Sequence, residues 1–236
     1  MLSGFMAAAW LVRPRHAAGM NWSAPGGAGG SVPWNIVVLL TLLTLLPALL
    51  VAVTPFTRLL VVFHFLRQAL GTQTAPSNQT LIGLSLVLTY FLMQPVGSAI
   101  YDAAVVPFQR GQVDAMGAVE RGSPPLRRFM LKYAREKDLA LFLDLAQAPR
   151  PARPEDVPMR VVVPAYIISE LKTGFQIGVA LFLPFLVIDL VVAAVTTSIG
   201  MMQLPPVIIS TPLKILLFVM VDGWNLLVGS LMKSFT

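Results

Sequence analysis

Long runs of residues without a charge dominate the pattern of hydrophobic and polar positions along the chain. The first run, Trp34 to Val53, has 20 residues, and another, Thr80 to Ile100, has 21. About 20 apolar residues in a helix are enough to cross the roughly 30 Å hydrocarbon core of a bilayer. Each run therefore predicts a membrane-spanning helix, and Pro47 and Pro95 inside them each predict a kink.

Two further apolar segments lie in the second half of the chain, from Val161 to Ile199 and from Val207 to Leu231. A loop from Gly200 to Pro206 separates them. In the first half, a break at Thr54-Pro55-Phe56 is followed by a shorter apolar stretch, Leu59 to Leu66, which is too short to span a membrane alone. The pattern predicts about four long hydrophobic helices arranged as helical hairpins.

The character of the chain changes between residues 109 and 160, which carry 10 Lys and Arg residues and 7 Asp and Glu residues. Apolar positions recur every three or four residues from Leu126 to Ala146, which predicts one amphipathic helix. The proline-rich stretch from Ala148 to Pro154 predicts a linker. We interpret residues 109–160 as an extramembrane region between two hydrophobic regions, residues 34–108 and residues 161–236.

The composition places the chain among membrane proteins. Of its 236 residues, 56% are hydrophobic and only 12% are charged, whereas soluble domains carry about 25% charged residues. The predicted fold class is an all-α, polytopic membrane protein. The formal charge of +6 fits topogenic Lys and Arg residues and contact with anionic lipid. The sequence has no clustered basic face with aromatic residues, so nucleic-acid binding is not predicted.

Residues 1–19 resemble a secretory signal peptide. Gly4 to Val12 is apolar, and Ala17-Ala18-Gly19 fits a small-residue cleavage site. No Lys or Arg precedes the apolar stretch, so an uncleaved tail and a misassigned start codon are the alternatives. Residues 20–33 are rich in glycine and lack the Gly-Lys-Ser/Thr ending of a phosphate-binding loop, which predicts a flexible linker.

Residue types that carry catalysis or bind metals are sparse. The chain has no cysteine and two histidines, which excludes thiol chemistry and leaves His64 without companion metal ligands. We expect His64 to be a helix-packing residue with one hydrogen-bonded partner. Asp189 and Asp222 lie in separate hydrophobic segments, which keeps an intramembrane aspartyl protease as an alternative. The prediction is a protein without a cofactor and without enzymatic activity.

Charged residues in or beside the last two hydrophobic segments are the most informative ones: Glu170, Lys172, Asp189, Lys214 and Asp222. A lone charge at bilayer depth costs at least roughly 2.5 kcal/mol, so such residues pair or face water. We expect them to hold helices or subunits together, and we expect Glu170 to pair with Lys214, inside one hairpin or between copies. Gly174 and Gly178 have the spacing that lets helices approach closely.

Longer strings resemble the FliP family, the export-gate subunits of the flagellar type III secretion system. In the second half they are PAYIISELKTGFQIG (Pro164 to Gly178), Leu183 to Leu190, Gly200 to Met202, and Val221 to Ser230. In the first half they are Phe56 to Arg58, Leu66 to Thr72, Pro76 to Gln79, and Pro125 to Met130. The resemblance covers residues 38–235, and the combination is far more specific than any single motif.

The resemblance implies a structural subunit of a pore that passes unfolded export substrates. Family members form a ring of about five copies with FliQ and FliR subunits, at the flagellar basal body in the bacterial inner membrane, among other export-apparatus membrane proteins. The resemblance also implies a gasket that seals the pore, at Met201, Met202 and Gln203, where glutamine replaces the family's third methionine.

Two alternatives to a flagellar gate stay open. The first, within the same family, is the export gate of a virulence-type (SctR-like) secretion system. A more distant one is a small-solute secondary transporter with Asp189 and Asp222 as ion sites, although the two halves of the sequence lack the repeat symmetry that such transporters often carry.

The orientation of residues 109–160 rests on conflicting signals. Their net charge of +3 weakly favours the cytoplasm under the positive-inside rule. A cleaved signal peptide and the family resemblance both place the region on the opposite side. Because the region is about 50 residues long and mixed in sign, the charge rule is weak here, and we predict a periplasmic location.

Overall fold

The computed structural model of the chain describes residues 34–149, 151, 153–200 and 205–235. Outside these ranges lie residues 1–19 and 20–33 and the predicted gasket residues, Met201, Met202 and Gln203. Every regular element in the described ranges is a helix. This confirms the prediction of an all-α chain.

The chain divides into two compact units, Met1–Thr44 and Leu45–Thr236. The described part of the first unit is the beginning of helix α1 (Trp34–Ala52), whose side chains are exposed from Ile36 to Val51. The other described elements belong to the second unit. Its first complete helix is α2 (Phe56–Ala69), which begins at the last residue of the break predicted at Thr54-Pro55-Phe56.

The second uncharged run forms α3 (Asn78–Ile100). Ser77 caps this helix, because its hydroxyl accepts a hydrogen bond from the Thr80 backbone N–H at 3.2 Å. The helix continues through a π-helical turn (Tyr101–Val105) into the short α4 (Val106–Gln109). The chain then reverses at Gly111, whose φ of +67° favours glycine.

The charged region contains two main helices, α5 (Ala115–Tyr133) and α6 (Glu136–Leu145), with a short 3₁₀ turn at Pro154–Asp156. The prediction of one continuous helix from Leu126 to Ala146 is wrong, since Ala134 and Arg135 have extended backbones. Ser169 occupies this break: its hydroxyl accepts a hydrogen bond from the Arg135 backbone N–H at 2.9 Å and donates one to Asp138 at 2.6 Å.

The longest helix is α7 (Met159–Ser198), with 40 residues that include Pro164 and Pro184. At 1.5 Å per residue it is about 60 Å long. This is about twice the roughly 30 Å of a hydrocarbon core. Therefore α7 is too long to be contained within one bilayer thickness along the membrane normal.

The last apolar segment forms two helices, α8 (Pro206–Met220) and α9 (Gly223–Lys233), bent by 67° relative to each other. Asp222 lies at the bend in the left-handed conformation, with φ of +51°. In the described part of the chain, α7 and the helical run Asn78–Gln109 are long and apolar enough to cross a membrane. The count rises to four if α1 with α2 and α8 with α9 each form one interrupted span, in agreement with the prediction.

The core of the second unit is built around α2. Its fully buried side chains are Leu59, Val62, Phe63, Leu66 and Ala69. The same cluster includes apolar residues from α3, α7, α8 and α9: Leu81, Leu88, Phe185, Phe218, Leu227 and Leu231. The apolar stretch that is too short to span a membrane is thus the centre of the packing.

Candidate functional site

Arg58 of α2 and Glu170 of α7 form an ion pair in the protein interior. Arg58 Nε donates a hydrogen bond to Glu170 Oε2 at 2.9 Å, and Arg58 Nη2 donates a second one to Glu170 Oε1. The two side chains are only 3% and 1% exposed. Two parallel bonds from a guanidinium to a carboxylate fix direction as well as distance. This pair therefore holds α2 in one orientation on α7.

The rest of the Arg58 guanidinium contacts residues that follow α9. Arg58 Nη1 lies 3.2 Å from Ser234 Oγ and 3.4 Å from the Ser234 backbone oxygen, and donates to both. Its central carbon lies 3.8 Å from the centre of the Phe235 ring. The Tyr133 hydroxyl, at the end of α5, donates to the Phe235 backbone oxygen. One arginine therefore gathers three parts of the chain that are distant in sequence.

The close packing of α2 on α7 depends on Gly174 and Gly178. A Cβ atom on Gly178 would lie 2.5 Å from Phe65 Cγ and 2.9 Å from Phe65 Cβ. A Cβ atom on Gly174 would lie 3.2 Å from Val61 Cγ1 and 3.5 Å from Arg58 Cα. Both glycines thus face α2, and any side chain at Gly178 would push the two helices apart.

A second ion pair joins α7 to α8. Lys214 Nζ donates a hydrogen bond to Asp189 Oδ2 at 2.5 Å, and Ser210 Oγ donates to Asp189 Oδ1 at 2.6 Å. The Lys214 side chain is 3% exposed and the Asp189 side chain is 31% exposed. Ser210 and Lys214 lie one turn apart on α8, so both reach the same carboxylate. The two helices on either side of residues 200–205 are thereby held together.

The two ion pairs lie at the ends of one segment of α7. Glu170 and Asp189 are separated by 19 positions, or about 28 Å along the helix axis. This distance is close to the roughly 30 Å of a hydrocarbon core. The intervening residues include one charge, Lys172, which is exposed. The segment between the pairs therefore has the length and the apolar character of a membrane span.

The chain matches a known protein family over most of its length. A sequence model of the FliP family matches residues 39–231, a range that includes all four residues of the ion pairs. The chain belongs to the FliP family. The match confirms the resemblance found in the motifs of both halves.

Individual FliP proteins are similar to this chain over most of its length. The flagellar biosynthetic protein FliP of Pectobacterium carotovorum subsp. carotovorum is 55% identical over 210 residues, which are 89% of this chain and 81% of that protein. The protein of the same name from Cereibacter sphaeroides is 49% identical over 89% of this chain and 70% of its own length. That of Bacillus subtilis (strain 168) is 49% identical over 85% and 91%, respectively.

The charge partners in this FliP chain differ from the predicted ones. Glu170 pairs with Arg58, and Lys214 pairs with Asp189, so the predicted contact between Glu170 and Lys214 inside one hairpin is wrong, while a contact between copies stays a prediction. Both members of the predicted pair lie in the second half of the chain, and Arg58 in the first half was not among the expected partners. Arg58 could have been recognised from its position at the edge of a short apolar stretch. If that stretch is buried, the charge of the arginine is buried with it and must be neutralised by a partner.

Lys172 and Asp222 belong to neither ion pair. Lys172 is exposed on α7, and Asp222 is exposed at the bend between α8 and α9. Both carboxylate oxygens of Asp189 accept hydrogen bonds, from Ser210 and Lys214. An aspartyl dyad requires two carboxylates that share a site, so this arrangement of the FliP chain does not favour one.

His64 of the FliP chain is a half-buried residue with a polar neighbour, as predicted. Its Nδ1 lies 3.1 Å from Arg67 Nη2, and Arg67 Nη1 donates to Asn78 Oδ1 at 2.6 Å. These contacts tie α2 to the start of α3. Across the described ranges, no group of three or more His, Asp or Glu side chains is arranged to hold a metal ion.

Proposed function

We propose that this chain is a structural subunit of the flagellar type III protein export gate, and that it forms part of the pore through which unfolded flagellar proteins leave the cell. The supporting observation is membership of the FliP family over residues 39–231. Relatives that share 49% to 55% identity with the chain carry the name flagellar biosynthetic protein FliP, which favours the flagellar over the virulence-type system. The proposed location is the bacterial inner membrane, at the flagellar basal body.

The surface of the α7–α8 hairpin supports assembly with other subunits. The Asp189–Lys214 pair joins the two helices internally, and many of their apolar side chains face outward. On α7 the exposed ones include Leu183, Leu186, Val187, Leu190, Val191 and Val195. On α8 they include Val207, Ile208, Leu213, Leu216 and Leu217. Such a surface requires lipid or neighbouring subunits to cover it, as expected for a ring of about five copies with FliQ- and FliR-like partners.

The loop between α7 and α8 is the proposed seal of the pore. The described residues on either side of it are Gly200, with φ of +80°, and Pro205, which precedes α8. In a ring, each copy would contribute Met201, Met202 and Gln203 to the axis. Methionine side chains are unbranched and adaptable, and an apolar constriction excludes ions by dewetting. A gasket of this kind can part around a passing chain.

The buried network supports a structural rather than a catalytic role. Buried Arg58, Glu170 and Lys214 are each neutralised by an opposite charge in another helix, which is how ionisable groups are accommodated when they hold helices together. Buried Asp138 accepts a hydrogen bond from the Ser169 hydroxyl of α7. We therefore propose that Glu170, Asp189 and Lys214 act in assembly and that the chain needs no cofactor. Substrate movement would then depend on other export-apparatus proteins.

Two measurements test this proposal. In a bacterium that lacks its own copy of the gene, the chain should restore secretion of flagellar filament protein into the medium, whereas an empty vector should not. Coexpressed with its FliQ- and FliR-like partners and purified in detergent, it should elute as a large hetero-oligomer whose mass corresponds to several copies. Secretion that is independent of the chain, or a chain that elutes alone, would refute the proposal.

A further inference from the structure

Arg67, near the end of α2, connects that helix to the start of α3. Its Nη1 donates a hydrogen bond to Asn78 Oδ1 at 2.6 Å, and its Nη2 lies 3.1 Å from His64 Nδ1, one turn earlier on α2. An arginine guanidinium carries only hydrogen-bond donors. His64 Nδ1 is therefore the acceptor, and a ring nitrogen that accepts a hydrogen bond carries no proton. The contact thus requires a neutral His64 with its proton on Nε2.

Protonation of the imidazole removes this acceptor. In the imidazolium form both ring nitrogens are donors, so Nδ1 and Arg67 Nη2 would face each other as two donors that carry positive charge. Arg67 is the charged side chain that acts on His64 electrostatically, and the partner that faces Arg67 from α3 is the neutral Asn78. In the described part of the chain, no Asp or Glu forms a salt bridge with His64 or Arg67. The repulsion between the two cations is therefore not offset by a paired carboxylate.

The turn that follows Arg67 is packed against α8. Gly71 has a φ of +76°, and a Cβ atom on it would lie 2.6 Å from Thr211 Oγ1. Thr72 Oγ1 donates a hydrogen bond back to the Arg67 backbone oxygen at 3.3 Å. Thr211 directly follows Ser210, which donates a hydrogen bond to the second ion pair. The side chain and the backbone of Arg67 thus both hold the turn between α2 and α3, at a point where this turn contacts α8.

We propose that His64 and Arg67 form a proton-sensitive clasp on this turn, residues 70–77. With a neutral His64, the guanidinium is held by one acceptor on α2 and one on α3, and the turn stays seated on α8. With a protonated His64, one acceptor is lost and Arg67 is repelled, so the turn loosens. Histidine is the side chain whose charge changes between pH 5 and pH 8, so acidification within that range is the trigger. The clasp belongs to the chain itself and does not rest on the proposed export role.

The absence of cysteine from the sequence allows a single nitroxide spin label to report on the turn. Gln73 is exposed within the turn, so a label attached through Gln73→Cys does not enter the packing. The full-length chain, purified in detergent, would be measured by electron paramagnetic resonance at pH 8 and pH 5, the ends of the range in which histidine titrates. We expect the ratio of mobile to immobile label to rise about fivefold at pH 5, because the repulsion of two unit charges at close range has roughly this effect even in water.

Two substitutions fix the state of the clasp. His64→Asn places an uncharged oxygen acceptor at the position of Nδ1, so the turn should stay immobile at both pH values. His64→Lys carries a positive charge at both pH values, so the turn should be mobile already at pH 8. The control for a general loosening in acid is a label at Gln112→Cys, because Gln112 is exposed in the loop after α4. Its mobility should be the same at both pH values.

Four results would overturn the proposal. An unchanged ratio in the Gln73→Cys parent would show that the turn does not respond to acidification. An equal rise in the parent and in His64→Asn would assign the response to another group, and an equal rise at Gln112→Cys would show that acid loosens the chain as a whole. A turn in His64→Lys that is as immobile at pH 8 as in the parent would show that a charge at this position does not open the clasp. Because the readout is the motion of the label, it is independent of whether the chain exports protein.

Discussion

Arg58 and Glu170, which lie 112 positions apart in the sequence, share two hydrogen bonds in the interior of the protein. The pair connects the first hydrophobic half of the chain to the second. Because Arg58 also contacts Ser234 and Phe235, the end of α9 is held at the same point. Arg58 therefore holds α2, α7 and the end of α9 together at one point.

Removing one partner of this pair should prevent normal assembly. In Arg58→Ala the Glu170 carboxylate stays buried without its cation, and in Glu170→Ala the Arg58 guanidinium is stranded in the same way. Breaking a buried pair costs roughly 3–5 kcal/mol. We expect each variant to yield far less of the detergent-stable complex than the parent, measured by size-exclusion chromatography after matched expression. Lys172→Ala, which removes an exposed charge two positions from Glu170 on α7, should yield as much as the parent.

A double variant distinguishes two side chains that are coupled as an ion pair from two side chains whose replacements each lower the yield independently. Replacing both members with methionine removes the two buried charges together, and such replacements are often neutral or stabilising. We expect Arg58→Met with Glu170→Met to recover part of the yield that each single methionine variant loses. If the losses of the single variants simply add in the double variant, the two side chains are not coupled and this interpretation fails.

The sequence pattern predicted the helices better than their packing. The boundaries of α2, α3 and α7 lie within a few residues of the apolar runs, because a bilayer-length run of uncharged residues leaves few alternatives to a helix. The same pattern did not reveal that α2 is the centre of the core. Whether a short apolar stretch faces lipid or protein depends on the helices that surround it, and those are brought together by tertiary contacts.

The prediction of charge partners failed for a related reason. Glu170 and Lys214 are both in the last two apolar segments, and spacing alone made them plausible partners. In the structure the nearer partner of Lys214 is Asp189 on the facing part of α7, and Glu170 turns toward Arg58. Which charges meet depends on the rotation of each helix about its axis, which hydrophobicity does not specify in a uniformly apolar helix.

The glycines of α7 offer a second test of how α2 is packed. Gly178→Ala places a methyl group 2.5 Å from Phe65 Cγ, and overpacking of this kind costs about 1–3 kcal/mol. We expect a lower midpoint temperature for dissociation of the purified complex. Gly174→Ala, where the nearest atom is 3.2 Å away, should have a smaller effect. Gly229→Ala is the control, because nothing beyond its two chain neighbours and its own helix backbone lies within 4 Å of its Cβ position. An equal loss in all three variants would contradict the proposed close approach.

The Asp189–Lys214 pair should be less sensitive than the Arg58–Glu170 pair. Asp189→Ala strands a buried Lys214, but the Asp189 side chain is 31% exposed, so water screens part of the interaction. Asp189→Asn keeps an acceptor for Ser210 and should be milder still. The measurement is the fraction of complex that survives a fixed heat step, with the expected order Glu170→Ala, Asp189→Ala, Asp189→Asn from most to least damaged. A reversed order would refute this ranking.

The side of the membrane on which residues 109–160 lie can be measured directly in the cysteine-free chain. Gln112 and Asp144 are exposed in the loop after α4 and in α6, respectively, so a cysteine at either position should not disturb packing. We predict that a membrane-impermeant maleimide added to intact spheroplasts labels both from the periplasmic side. Labelling that occurs only after the membrane is permeabilised would place the region in the cytoplasm and reverse the predicted topology.

The proposed gasket yields the last prediction, which concerns ion leakage. If Met201 and Met202 close the aperture by excluding water, replacing both with alanine shortens several apolar side chains around the axis and leaves a wider, wetter opening. We expect the double alanine variant to assemble normally and to conduct small ions in planar bilayers more than the parent. Gln203 is polar and can hydrogen-bond water in the constriction, so Gln203→Met should lower the conductance below that of the parent.

The control for the gasket is Met220→Ala, since Met220 is exposed at the far end of α8 and 76% of its surface is accessible. This variant makes the same chemical change away from the loop and should conduct as the parent does. If the parent, the double alanine variant and Gln203→Met all have the same conductance, the three residues are not the seal. If Met220→Ala leaks as much as the double alanine variant, the leak reflects a general loosening of the complex, because the loop is then no more sensitive than the surface of α8.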